Sequence, residues 1–187
     1  MDKASKKSMF RKEIFSKLNK QKINNYKRDK IIINRLYTLI KKAKIQDIMI
    51  YIPLKTEPNI APLIKLLREK GYNLYVPFIV GNSFKLVSYR LPLKINKFKI
   101  KEPNNSYKKV KKIDLAIVPL LGIDKSYKRV GFGKGMYDRF YERFNKKIAK
   151  TVFLQRDIYY IDEYITDNYD ISSDCILTNS IIEIYMN

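Results

Sequence analysis

A layered α/β fold, with a mostly parallel central sheet flanked by helices, is the architecture this sequence predicts. Three observations carry the prediction. Short apolar runs of strand length alternate along the chain with segments whose apolar residues recur at helical spacing. The clearest runs, at 47–53 and 113–119, are largely apolar at successive rather than alternate positions, as in strands covered on both faces. A glycine-rich segment at 129–139 falls between the second of these strands and a helix, and open parallel sheets bind ligands beyond the carboxyl ends of their strands. With 187 residues, 45% of them hydrophobic, the chain is long enough for one domain with its own core, spanning 1–187, and short for two.

Taken in order, residues 5–20 read as a basic amphipathic helix with Met9, Ile14, Phe15 and Leu18 on its apolar side. A second helix is expected over 26–44, with a stripe of Ile31, Ile32, Leu36, Leu39 and Ile40. The run 47–53 is a short buried strand ended by Pro53. A helix over 60–70 closes at Gly71, and strands are expected at 73–77 and, after a Gly81-Asn82 turn, at 84–89. Residues 91–112 are basic, poorly periodic and interrupted by Pro92 and Pro103, and read mostly as loop. The strand at 113–119 follows, then the glycine segment, a helix over 136–146, and strands at 151–154, 174–178 and 181–185.

Composition removes several chemistries. The chain has no histidine, so Ser-His-Asp and Cys-His mechanisms and imidazole metal sites are excluded. Any metal must be held by oxygen, which points to magnesium rather than zinc. The single cysteine, Cys175, cannot form an intrachain disulfide and sits in an apolar context, as a packed core thiol would. A cytoplasmic location is the expectation, with no apolar run long enough to span a membrane and no leader-like apolar stretch at the N-terminus. The net charge of +21 admits a nucleic-acid partner, a small polyanionic substrate drawn in by the field, or a Lys-rich coding bias.

The most informative segment is Arg-Val-Gly-Phe-Gly-Lys-Gly-Met-Tyr-Asp-Arg at 129–139. It holds Gly131, Gly133 and Gly135, half of the 6 glycines in the chain. Glycine is retained where φ must be positive or a ligand must approach the main chain. Backbone N–H groups opening onto a helix N-terminus favour an anion, and Arg129, Lys134 and Arg139 flank the segment. Asp138 in the first helical turn could face a magnesium ion. The spacing is neither a Walker A loop nor G-x-G-x-x-G. Alone, the pattern leaves nucleotide, sugar phosphate and plain turn open.

Read with its context, the segment resembles a known signature. The run 113–119, then Asp124, then 129–139 is similar to the signature of the 5-formyltetrahydrofolate cyclo-ligase family, which uses ATP and magnesium to close 5-formyltetrahydrofolate into 5,10-methenyltetrahydrofolate. The resemblance extends over nearly the whole chain. It implies that Lys7 and Arg11, four apart on the first helix, contact ATP, and that Glu57, with Ile52 as an apolar neighbour, contacts folate. Ile100 to Pro103 resembles a further family element, and Asp170 and Asp174 match a late pair of aspartates of which the first is associated with magnesium.

What the resemblance implies is a two-substrate site. Arg129, Gly131, Phe132, Gly133, Lys134, Gly135, Met136 and Tyr137 would hold ATP together with Lys7 and Arg11. Phe132 and Tyr137 would also face the folate with Ile52 and Glu57, and Asp138 and Asp170 would hold magnesium. Lys134, Tyr137 and Arg129 are the implied catalytic groups. Four positions depart from the family pattern: Tyr169 in place of a histidine, Met136 of an aromatic, Leu120 of a glycine and Asn59 of an aspartate. The expected partners are small molecules, with no membrane and a monomeric chain. A basic nucleic-acid-binding module ranks below this reading because it leaves the glycine–aspartate segment unexplained. A second alternative is another ATP- or phosphosugar-handling enzyme on a related fold.

Overall fold

The computed structural model describes residues 1–20, 25–96, 100–105, 110–180 and 184–185. Its helices are α1 (Lys3–Lys20), α2 (Asn25–Lys42), α3 (Ala61–Glu69) and α4 (Met136–Phe144). The central sheet takes strands β1 (Asp47–Met49), β2 (Asn73–Val80), β3 (Ser83–Ser88), β6 (Ile113–Pro119), β9 (Ile148–Leu154), β10 (Cys175–Leu177) and β11 (Ile184–Tyr185), in the order β11-β10-β9-β6-β1-β2-β3. The five inner strands run parallel, and each edge strand is antiparallel to its neighbour. Two small ribbons stand outside it: β4 (Lys94–Ile95) with β5 (Lys101–Glu102), and β7 (Gly122–Ile123) with β8 (Arg129–Val130).

The successive apolar residues of the inner strands do what both-face burial requires. Ile48 and Ile50, Leu115 and Ile117, and Val152 and Leu154 pack into one core with Ile32, Leu36 and Ile40 of α2 and Leu63 and Leu67 of α3. The alternate positions Met49, Ala116, Val118 and Phe153 pack on the other face with Phe140 and Tyr141 of α4. The strand period of two thus sorts a continuous apolar run into two layers. A third cluster seats Phe10 and Ile14 of α1 against Leu121, just before β7, and Val130 of β8. This contact lays α1 beside the carboxyl ends of the strands.

The structure departs from the sequence reading at several points. Met9 and Ile31 are exposed. The buried stripe of α1 is Lys7, Phe10 and Ile14, spaced three and four apart, and Met9 is out of phase with it. The strand expected at 73–77 runs through Pro77 to Val80. The Tyr75 carbonyl accepts from Ile50 on the β1 side, so by alternation position 77 also faces that side, where β1 has ended, and the missing proline N–H costs no sheet bond. The stretch read as loop at 91–112 contains the β4–β5 ribbon, whose two-residue strands are too short for a periodic signal. Of the closing strand expected at 181–185, β11 covers 184–185 and the remainder lies outside the described residues. Gly71, at φ +79, ends α3 as expected.

One buried ion pair ties the frame together. Arg156, just past β9, donates from Nε and Nη2 to Asp29 of α2 at 2.8 and 3.0 Å, and from Nη2 to the Glu57 carbonyl at 2.7 Å. Both side chains are buried, so α2, the end of β9 and the loop after β1 are fixed by one bidentate contact.

Candidate active site

The carboxyl ends of β1, β2 and β6 open onto a cavity of about 620 Å³. Every site residue expected from the sequence lines it, from Lys7 and Arg11 through Ile52 and Glu57 to the 129–138 stretch and Asp170. These residues come from α1, the loop after β1, the β8–α4 loop and the loop before β10, four stretches that only the fold brings together.

The glycine loop is shaped by its neighbours. A Cβ on Gly131 would lie 2.3–2.7 Å from the Arg129 guanidinium, so only glycine lets that side chain fold beneath the loop. Gly133 and Gly135 have φ of +96° and +58°, and Gly135 caps α4 in the left-handed region with no side-chain cap. The first N–H groups of α4 are therefore left for an anion. Arg129 is buried, donates from Nε to the Pro119 carbonyl at 2.8 Å, and lies 4.9 Å from the Tyr137 ring centroid. Arg11 closes the other side, donating from Nε to the Gly131 carbonyl at 2.9 Å. Arg139, at the first turn of α4, donates to the carbonyls of Lys134 and Asn82 and so pins the loop to the β2–β3 turn.

Two carboxylates stand at the loop. Asp138 Oδ1 is buried with no hydrogen-bond partner among the described residues, and its nearest cation, Arg129 Nη1, is 3.9 Å away. A buried carboxylate oxygen left unsatisfied costs free energy unless a cation takes it up. Asp170 is partnered: its Oδ2 accepts from Lys7 Nζ and from the Asp167 N–H at 2.7 Å. Lys7 is therefore buried at the floor of the site rather than extended into solvent. Burial lowers the Arg11 guanidinium, and the nearby Asp170 charge partly restores it.

The apolar lining of the cavity includes Ile52, Pro77, Ile79, Phe84, Met136 and Tyr137, and Glu57 is a lining carboxyl group within electrostatic reach of Tyr137 and Arg129. Glu57 Oε2 accepts the Leu54 N–H at 2.9 Å, yet burial dominates and raises its pKa from 4.5 to about 7, with Arg129 and Arg156 pulling the other way. Burial also pushes the Tyr137 phenol up, aided by the Glu57 charge, so it stays protonated at neutral pH and can donate. For Glu57, a folded pKa above the unfolded one means that stability is full below about pH 4.5 and is lost as the pH rises through about 7. Glu57→Gln is expected to flatten that dependence and to be more stable than the parent at pH 8 by up to about 3 kcal/mol. Urea unfolding at pH 5 and pH 8 measures it, and an unchanged pH slope would refute it.

Some singled-out residues serve the frame instead. Asp124 is buried; burial raises its carboxyl, but hydrogen bonds from Ser126 and Thr166 outweigh that and hold it below the usual range. Asp174 Oδ2 accepts the Thr151 N–H at 2.7 Å and clips β10 to β9. Asn59 accepts the Ala61 N–H at the start of α3, and Glu102 accepts from Asn96 within the β4–β5 ribbon. The sequence reading missed Tyr51, Phe84 and Phe15 as cavity residues. Phe15 had a signal, since it follows Lys7 and Arg11 at the same spacing of four on α1. Tyr51 and Phe84 had none, because apolar residues within or just beyond a strand read alike whether they face core or cavity.

A parallel sheet whose strand ends meet a glycine loop, an uncapped helix N-terminus and converging cations defines a class: α/β proteins built to hold a phosphorylated ligand. Within that class the chain belongs to the 5-formyltetrahydrofolate cyclo-ligase family, whose model matches residues 3–179. It is similar to the 5-formyltetrahydrofolate cyclo-ligase of Mycoplasma genitalium, 29% identical over 143 residues that cover 75% of this chain and 77% of that one. It is also similar to that of Escherichia coli K12, 25% identical over 154 residues covering 78% and 85%. The solved 5,10-methenyltetrahydrofolate synthetase of Aquifex aeolicus superposes with a TM-score of 0.76 at 26% identity, over 96% of this chain and 92% of the other. No helix among the described residues is long and apolar enough to cross a membrane.

Proposed function

We infer that this protein catalyses the ATP-dependent cyclisation of 5-formyltetrahydrofolate to 5,10-methenyltetrahydrofolate, releasing ADP and phosphate. The observation that carries the reading is convergence: in a chain of this family, the residues from 7 to 170 that the resemblance assigns to the two-substrate site all line one cavity. The cavity lining is of two chemical kinds, a cationic loop for the triphosphate and apolar side chains with the Glu57 carboxyl for the pterin.

The formyl oxygen on N5 attacks the γ-phosphorus and ADP departs, leaving an iminium phosphate. N10 then attacks the formyl carbon, the ring closes, and phosphate leaves, taking up the proton that N10 loses. No group on the protein need become covalently bonded, so the work is positioning and charge neutralisation, which suits a chain without histidine. Gly131, Gly133 and Gly135 let the backbone approach the phosphates. Lys134 and Arg11 supply positive charge at the loop, and Arg129 supports it from below. Tyr137 donates at the junction of the two substrates, and Glu57 hydrogen-bonds the pterin.

Magnesium fits the residues present. Asp138 Oδ1 is a buried carboxylate oxygen without a hydrogen-bond partner among the described residues, and Asp170 would offer its second oxygen, since its hydrogen bonds from Lys7 and Asp167 fall on Oδ2. Among the described residues no three His, Cys, Asp or Glu side chains cluster as a metal cage. A magnesium ion needs only one or two carboxylates, with phosphate oxygens and water completing its shell. Bound there, the ion would neutralise charge on the phosphates.

The test is direct. Protein mixed with 5-formyltetrahydrofolate and Mg-ATP should generate the near-ultraviolet absorbance of the methenyl product; folded protein giving none would overturn the assignment. Lys134→Ala removes one charge-assisted contact while Arg139 still holds the Lys134 carbonyl. It is expected to lower kcat/KM for ATP about 10- to 100-fold. Steady-state kinetics with ATP varied checks this, and a change confined to the folate KM would contradict it.

A further inference from the structure

Two arginines, Arg139 and Arg143, stand four apart on one face of α4, over the β2–β3 turn. Arg143 donates from Nη2 to Ser83 Oγ at 2.9 Å and from Nε to the Arg139 carbonyl at 3.2 Å. Ser83 Oγ in turn donates to the Met136 carbonyl at 3.3 Å. Phe84 stacks on Phe140 with ring centroids 4.5 Å apart. These contacts make the turn and α4 one packed unit. Arg139 extends from that unit to the glycine loop, donating from Nε to the Asn82 carbonyl at 2.9 Å and from Nη2 to the Lys134 carbonyl.

Helix stability does not account for Arg139. It stands in the first turn of α4, where the helix dipole disfavours a cation. Long helical side chains lean back toward the N-terminus, and this one lies over Gly135, where an added Cβ would come within 2.8 Å of Nη1. The Lys134 carbonyl that it holds belongs to an exposed residue between two glycines at positive φ, Gly133 and Gly135, which have no side chains to anchor the backbone. Arg11 holds the loop three residues earlier, at Gly131. We propose that Arg139 is a positioning residue for phosphoryl transfer: its fork fixes the Lys134 peptide against the α4–hairpin unit, which also carries Pro77, Ile79 and Phe84 of the cavity wall. The ammonium of Lys134 is thereby set in register with both substrates. This rests on the reading of Lys134 as a charge at the triphosphate and adds the residue through which that charge is placed. Arg139 lines the cavity too, so the competing role is a direct charge on the phosphate.

Lysine keeps the charge of Arg139 and lacks its planar fork; methionine keeps neither. Steady-state kinetics with ATP varied, on Arg139→Lys, Arg139→Met, Lys134→Ala and the double variant Lys134→Ala/Arg139→Met, separates the roles. Both Arg139 variants are expected to lower kcat/KM for ATP about 10- to 100-fold, as misplacement of a group at the reacting centre does. In the Lys134→Ala background, Arg139→Met should cost no more than about twofold further, because the group that it positions is already gone. Arg143 and Phe84 still fasten the turn to α4, so both single variants should unfold at nearly the parent temperature. Full activity in Arg139→Met would overturn the proposal. So would recovery in Arg139→Lys, which would make Arg139 a charge on the phosphate, or losses that multiply in the double variant, which would mean a general loosening of the fold. A parent protein without turnover would overturn the cyclo-ligase reading itself, and this role with it.

Discussion

Asp138→Asn is expected to lower kcat about 100- to 1000-fold, the range seen when one preorganised electrostatic contact is removed. The substitution keeps size and shape and removes only the charge. In the free protein that charge is a liability: Oδ1 is buried, lacks a hydrogen-bond partner among the described residues, and stands 3.9 Å from Arg129, beyond hydrogen-bond reach. The variant should therefore be no less stable than the parent to heat, while its magnesium requirement for turnover rises. Activity measured over a range of magnesium concentrations, with thermal unfolding of the free protein alongside, checks both halves. An unaffected kcat would remove Asp138 from the metal site, and a large loss of stability would mean that the carboxylate serves the fold.

Asp29→Ala is expected to cost about 3–5 kcal/mol of stability, because it leaves the buried Arg156 guanidinium without its counter-charge. Arg156 also holds the carbonyls of Thr56 and Glu57, so the loop carrying Glu57 should loosen and the folate KM should rise. Urea unfolding gives the first quantity and folate-dependent kinetics the second. The double variant Asp29→Leu/Arg156→Met removes both charges and is expected to recover much of the stability but not the folate KM. A single variant as stable as the parent would show that solvent reaches Arg156 and that the pair does not brace the site.

The two residues differ in how far the sequence announces them. Asp138 sits inside a dense local motif, three alternating glycines flanked by cations, that stands out from the rest of the chain. Asp29 and Arg156 are 127 residues apart, each in a stretch rich in other charges, and nothing local marks them as partners. The same contrast runs through the fold. Strand β6 was legible to the residue because its apolar run is continuous and bounded, whereas the β7–β8 and β4–β5 ribbons, two residues per strand, lie below any periodic signal. The stripe of α1 was legible at Ile14, Phe15 and Leu18, but Met9 is exposed and Lys7 belongs to the buried face. A lysine reads as solvent-facing until its counter-ion, Asp170, is placed beside it by the fold.

By itself the sequence determined the α/β layering, the place of the glycine segment between a strand and a helix, and the absence of imidazole chemistry. These follow from local pattern and composition, which a single chain displays in full. The tertiary structure alone decided that Asp170 is bonded to Lys7 while Asp138 lacks a hydrogen-bond partner, that Arg129 folds under Gly131, that burial raises Glu57 to about 7, and that Phe15 joins Phe132 at the cavity's edge. Each of these is a matter of burial and of partners distant in sequence. Desolvation and pairing energies depend on what the fold brings within a few ångströms, and local sequence pattern carries no direct record of it.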